Sequence, residues 1–266
     1  MGKTNILESL METLKNSVAV FADIFQNFAI AILLLLLTIE VIRSSVDMVS
    51  GKGMTISSKL LLYIALVGFI ASFGSIYHGV SNGVILDTDL NENFQHLWEY
   101  VIKRHEAPFL IGKGRDLGLI YQISGGKIDF SKIDLEYIIT FFMTKISLFV
   151  SLLLLVWIIV IIGKNYSILM IQLAIGAVPV SLMLSPETRS TGIQFIKTII
   201  SRFLTFFFYS FAIDFSLKFI KVNQYKIFKF APKGGGIAMY ISSVLALLLI
   251  IFLFGILSKI SESFLS

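Results

Sequence analysis

Residues 18–42 read VAVFADIFQNFAIAILLLLLTIEVI, and no other feature restricts the fold so strongly. A helix that is apolar on every face has no side to turn to water, so it belongs in lipid or in a large core. About 25 residues rising ~1.5 Å each are enough to cross a ~30 Å hydrocarbon layer. Similar runs occur at residues 59–77, 136–163, 167–184, 193–220 and 236–257. The expected fold is therefore all-α: a polytopic membrane protein with six spans, or five if the short 167–184 segment is re-entrant. Only 15% of the residues are charged and mean hydropathy is +0.86, which fits lipid better than a soluble chain of amphipathic elements.

The first 17 residues, MGKTNILESLMETLKNS, lack the basic start and small-residue cleavage site of a signal peptide. Ile6, Leu7, Leu10, Met11 and Leu14 recur at helical spacing, so an uncleaved amphipathic helix is expected to lead into the first span. The organisation read from the sequence is this lead at 1–17, two spans over 18–77, a large loop at 78–134 and a C-terminal bundle at 135–266. Basic residues in short loops set orientation. With the N-terminus outside, the inner segments hold Arg43, Lys52, Lys59, Lys164, Lys218, Lys221, Lys226, Lys229 and Lys233. The outer ones hold Lys3, Lys15, Arg189, Lys197 and Lys259. That asymmetry favours an outside N-terminus, and with it an outside (periplasmic) 78–134 loop. The loop carries ENFQHLWEYVIKR (residues 92–104), read as an amphipathic helix. Phe94, Trp98 and Tyr121 are its expected partner contacts.

The chain has no cysteine, which excludes disulfide, iron–sulfur and thiol chemistry. His78, His96 and His105 lie in or beside the loop with Asp87, Asp89 and Glu92, but their spacing matches no compact ligand set. The glycine–lysine pairs GKGR and SGGK lack the spacing of a phosphate-binding loop. Nothing calls for catalysis, a metal or a cofactor, so an enzyme is not expected. Ionisable groups inside apolar runs are costly and face protein or water. Asp214 and Lys218 are spaced for an i,i+4 ion pair. Arg202 sits deep in a phenylalanine-rich run, while Lys145, Asp23 and Glu40 suit snorkelling near interfaces. KFIKVNQYKIFKFAPKGG (residues 218–235) is read as a basic cytoplasmic loop carrying Lys221, Lys226, Lys229 and Lys233. An anionic membrane surface, a cytoplasmic partner or single-stranded nucleic acid would each suit it.

One stretch interrupts the apolar pattern. LAIGAVPVSLMLSPETRSTGIQFIKTIISRFL (residues 173–204) holds small residues, two prolines and a charged turn. Pro179 would kink its helix by removing a backbone hydrogen bond. Pro186 fits a helix end, Glu187 a helix start, and Arg189 an interfacial anchor. Gly176, Ala177 and Pro179, the turn at Thr188-Arg189, and the aromatic run beyond it resemble the core signature of the TrbL-like conjugal-transfer proteins. These are polytopic inner-membrane subunits of type IV secretion systems. An extra residue separates Ala177 from Pro179, and the tryptophan often found after the turn is missing. The resemblance implies a homo-oligomer that helps pass DNA or protein substrate. Its partners would be cytoplasmic ATPases, bitopic scaffold proteins, pilus-tip or channel components, and membrane lipid. A small-solute transporter or permease subunit, and a holin-like pore former, are the alternatives.

Overall fold

The computed structural model describes residues 6–50, 56–86, 89–102, 135–184, 188–228 and 235–263, and every element among them is helical. Helix α1 spans Ile6–Val49, α2 Ile56–Ala71 and α3 Phe73–Leu86. Helix α4 covers residues 90–102. Helix α5 spans Leu135–Ile175 and α6 Ala177–Ser181, which a 3-10 turn at Leu182–Leu184 extends. Helix α7 spans Arg189–Phe228 and α8 Gly235–Ser263.

Four stretches are long and apolar enough to cross a membrane: Ile6–Arg43, Lys145–Ile175, Arg189–Ile220 and Ser242–Ser263. A fifth arises if Tyr63–Ala71 and Phe73–Asn82, bent by 52° at their break, are one span. The count among the described residues is thus four or five, which includes the lower expected number but not six. The surplus came from dividing α5 at Gly163-Lys164-Asn165-Tyr166-Ser167, which is polar but holds no proline. The helix runs straight through it. Ser167 Oγ donates to the Gly163 carbonyl at 2.8 Å, and Gly163 lies against Leu10 of α1. That glycine permits a close helix approach and does not end a helix. The N-terminal lead is likewise continuous with the first span, because α1 has no break between residues 6 and 49. At 44, 41 and 40 residues, α1, α5 and α7 are each ~60–66 Å long, about twice the hydrocarbon thickness.

The chain divides into two compact units. Unit 1 comprises Met1–Leu90, Ile162–Phe207 and Ser258–Ser266; unit 2 comprises Asn91–Ile161 and Phe208–Leu257. In unit 1, α2 and α3 run antiparallel to α1. Tyr63 OH reaches the Leu36 carbonyl, Gln26 Nε2 the Ala71 carbonyl, and Lys15 Nζ the Asn82 Oδ1. Their core is Ala29, Leu33, Ile70 and Phe73, closed by Ala177 and Val180 from α6. Where α7 meets α8 in this unit, Thr205 Oγ1 and Ser261 Oγ lie 2.6 Å apart. Ser201 Oγ donates to the Ser261 carbonyl at 2.6 Å, so the buried hydroxyls are satisfied.

In unit 2, Tyr209 of α7 stacks on Phe254 of α8 at 4.0 Å. Ser151 of α5 meets Ser243 of α8 at 3.4 Å, both buried. Small hydroxyl residues thus sit between helices while Phe149, Val156, Trp157 and Phe252 point outward. Helix α4 belongs to this packing. Phe94, Leu97 and Val101 are fully buried at helical spacing, and Asn93 Nδ2 donates to Ser210 Oγ at 2.9 Å. Phe94 is therefore a core residue and not the expected partner contact: the helix turns its aromatic face onto its own chain. Trp98 is half-buried on the same helix, and Tyr121 lies outside the described residues.

Truncating Phe94 to alanine should lower unfolding stability in detergent by roughly 3–5 kcal/mol, the cost of emptying a buried aromatic site. His96→Ala, on the exposed face of the same helix, should change it by less than about 0.5 kcal/mol. Equal losses in thermal melts of the two variants would contradict the docking of α4.

Candidate functional site at a junction of two helix breaks

Two interrupted helices meet within unit 1. The first interruption is Ser72, between α2 and α3. Ser72 N and Oγ both donate to the Gly68 carbonyl, at 3.1 and 2.9 Å, and the Ser72 carbonyl accepts from Ile76 N at 3.0 Å. The neighbouring Ala71 carbonyl accepts the Gln26 amide of α1 at 2.8 Å. Gln26 therefore turns a polar group of an apolar helix toward backbone at the bend. Asp23, one turn earlier, lies at the same level: a Cβ on Gly74 would sit 3.2 Å from Gln26 Oε1 and 3.9 Å from Asp23 Oδ1.

The second interruption is Gly176. Pro179 has no N–H for the carbonyl four residues back, at Ile175, which is where α5 ends. Pro179 thus ends the helix and starts a new short one, where a kink within one span was expected. Gly176 keeps right-handed helical angles, φ −64° and ψ −25°, so space and not conformation makes glycine necessary. An added Cβ would lie 2.7 Å from Phe73 Cζ and 3.0 Å from Phe195 Cε1. Gly176 therefore joins the two interruptions, since Phe73 begins α3 directly after Ser72.

The chain then turns back through Thr188, whose Oγ1 donates to the Leu182 carbonyl at 2.6 Å. The Thr188 carbonyl accepts from Thr191 N and Gly192 N, which starts α7. Arg189 is the first residue of α7 and is exposed. Pro186 and Glu187 lie outside the described residues. Gly192 makes a second close approach: a Cβ there would be 2.8 Å from the Pro179 carbonyl oxygen and would collide with the Met183 side chain. The junction therefore gathers an amide, a carboxylate and a hydroxyl around a helix bend, with a glycine-packed elbow pressed against it.

The other residues singled out in the sequence lie elsewhere. Arg202 is half-buried on α7, its Nε buried without a hydrogen-bond partner among the described residues. Asp214 and Lys218 form the expected pair at 2.7 Å. Lys221 and Lys226 belong to α7, which continues to Phe228, and so are not in a loop; Lys229 and Lys233 lie outside the described residues. Helical propensity continues through KFIKVNQYKIF because nothing in it breaks a helix before Ala231-Pro232. His78 packs edge-on to Tyr77, His96 lies 3.6 Å from Glu92, and His105 is outside the described residues. No group of three metal-ligating side chains occurs among the described residues. Sequence reasoning missed Gln26 and Gly192 as site residues. The visible signal was a lone glutamine inside an apolar run, and a glycine one turn into an aromatic helix.

Gly192→Val should destabilise the detergent-solubilised protein by roughly 1–3 kcal/mol through overpacking against the Pro179 backbone. Gly68→Ala, whose Cβ would meet nothing within 4 Å, should be neutral or slightly stabilising in the same thermal assay. Compared with protein-family models, curated proteins and solved structures, the chain matches none.

Proposed function

We propose that this chain is a multi-pass subunit of the bacterial inner membrane, with a periplasmic N-terminus, that serves as a channel or scaffold component of a type IV secretion (conjugation) machine. In this reading it acts by assembly, without a cofactor, and assists passage of DNA or protein substrate and building of the pilus. The observation that carries the proposal is the elbow. Gly176, Pro179 and Thr188, which bear the resemblance to the TrbL-like proteins, are the residues that end α5, pack on α3 and start α7. A signature made of such residues describes a membrane core and not a surface decoration. The outward phenylalanine, tryptophan and valine side chains with hydroxyls held between helices follow the packing rules of helices in lipid. The expected partners are cytoplasmic ATPases, bitopic scaffold proteins and pilus-tip or channel components. Further copies of the chain would complete the assembly.

A small-solute transporter is the second reading, and the meeting of two interrupted helices favours it. Broken helices that face each other are where such proteins hold substrate and ions. The two readings separate experimentally. Because α4 is part of the core, the segment to remove is residues 112–130 and not the whole loop. For a secretion subunit, that deletion should abolish substrate transfer, while Asp214→Asn and Arg202→Gln should retain most of it. A photoreactive residue at Tyr121 should capture secretion-system proteins in native membranes. Solute uptake by the purified, reconstituted chain, lost on Asp23→Asn and with no protein captured at Tyr121, would support transport and sink the secretion reading.

A further inference from the structure

We propose that the outer face of α4 lines water at the depth of the apolar helices, forming one wall of a hydrophilic path beside α7. The proposal rests on the reading of this chain as a membrane protein and does not depend on which machine it serves. Two contacts within unit 2, and the place of one partner along its helix, set the depth. Asn93 of α4 donates to Ser210 of α7; Tyr209, the adjacent residue, stacks on Phe254 of α8; and Phe254 lies inside the apolar stretch Ser242–Ser263, twelve residues from one end and nine from the other. The start of α4 is therefore level with hydrophobic parts of α7 and α8. Phe94, Leu97 and Val101 are fully buried, which holds the length of α4 onto its own chain.

The opposite face of α4 is polar. Glu92, His96 and Glu99 succeed one another at spacings of four and three residues, on one side of the helix. The side chains of His96 and Glu92 are 61% and 72% exposed and lie 3.6 Å apart. On α7, Asp214 is one turn beyond Ser210 and so projects to nearly the same side. It pairs with Lys218 at 2.7 Å, with 38% and 74% of the two side chains exposed. Elsewhere on the same unit the large apolar residues that point outward include Phe149, Val156, Trp157 and Phe252, and Phe211 and Phe215 do so on α7 itself. One unit thus presents two kinds of surface. Hydrocarbon suits the second and heavily penalises the first, where carboxylates and an imidazole are exposed. Water satisfies all of them.

The absence of native cysteines makes the test direct. Single cysteines replace His96 or Glu92, and Phe252→Cys gives a depth-matched control two residues from Phe254, 63% exposed on the apolar side. Intact membranes are treated with a charged, membrane-impermeant methanethiosulfonate and with N-ethylmaleimide, applied from each side. The expected result is labelling at His96→Cys and Glu92→Cys more than about ten-fold faster than at Phe252→Cys, since a charged reagent does not enter hydrocarbon. If all three label equally fast, unit 2 is not embedded and the membrane reading itself fails. If Phe252→Cys resists and both α4 cysteines resist equally, lipid or another protein covers α4. The water-lined face is then wrong while the membrane reading stands.

Discussion

An interrupted helix frees peptide groups that need new partners, and here one amide on α1 supplies one. Gln26 donates to the Ala71 carbonyl beside the bend at Ser72, and Ser72 turns its own hydroxyl onto the Gly68 carbonyl. In lipid an unsatisfied peptide group costs several kcal/mol, so broken helices persist only where neighbours supply partners. The rest of unit 1 builds on that anchored bend. Phe73 is thrown toward Gly176, whose lack of a side chain lets the α5–α6 interruption approach. Ala177 and Val180 then seal the core against Ala29 and Leu33. Each interruption is thus packed against the other, and the elbow gives α7 its starting point.

On the proposed membrane reading, the energetic logic differs from that of a soluble bundle. Where both solvent and core are apolar, burial of leucine contributes little, and close contact with satisfied polar groups has to hold helices together. Ser201, Thr205 and Ser261 do this in unit 1, as do Ser151 with Ser243 and Asn93 with Ser210 in unit 2. Helix α4 adds an amphipathic helix with an apolar face toward the bundle and a charged face away from it. The proposed secretion role and the proposed water-lined face meet at this point. A subunit that passes hydrophilic substrate needs a polar wall at membrane depth, and a helix hydrogen-bonded into the bundle supplies one without breaking any apolar span.

Much of the fold is legible in the sequence, and the exceptions have physical causes. Apolar runs mark helices well because hydrophobicity all round leaves few other options, so α1, α5, α7 and α8 all lie where such runs are. Continuity is harder to read. Gly163-Lys164-Asn165-Tyr166-Ser167 is as polar as a loop, yet a polar pentad without proline costs a helix little, and its glycine packs on Leu10. Pro179 signals an interruption, but its effect as a terminator depends on Gly176 having room beside Phe73, a long-range fact. The bend at Ser72 has no proline to announce it. The partner of its freed carbonyl is tertiary: Gln26, 45 residues before Ala71. Phe94 falls between apolar runs on a segment legible as an amphipathic helix, and its spacing with Leu97 and Val101 already describes an apolar face. Periodicity does not say whether such a face meets a partner or its own chain.

The packing of the Ser72 bend on α1 is tested most directly by a cysteine pair in the cysteine-free chain, Asp23→Cys with Gly74→Cys, which leaves Gln26 in place. Asp23 Oδ1 lies 3.9 Å from where the new Cβ at Gly74 would be, within reach of a disulfide or a short bifunctional thiol reagent. Mild oxidation in native membranes should join the two within one chain, detected as a protease-resistant link between fragments. A pair that stays open, while each cysteine alone still reacts with a permeant maleimide, would move the bend away from α1 and contradict the junction on which the fold is built.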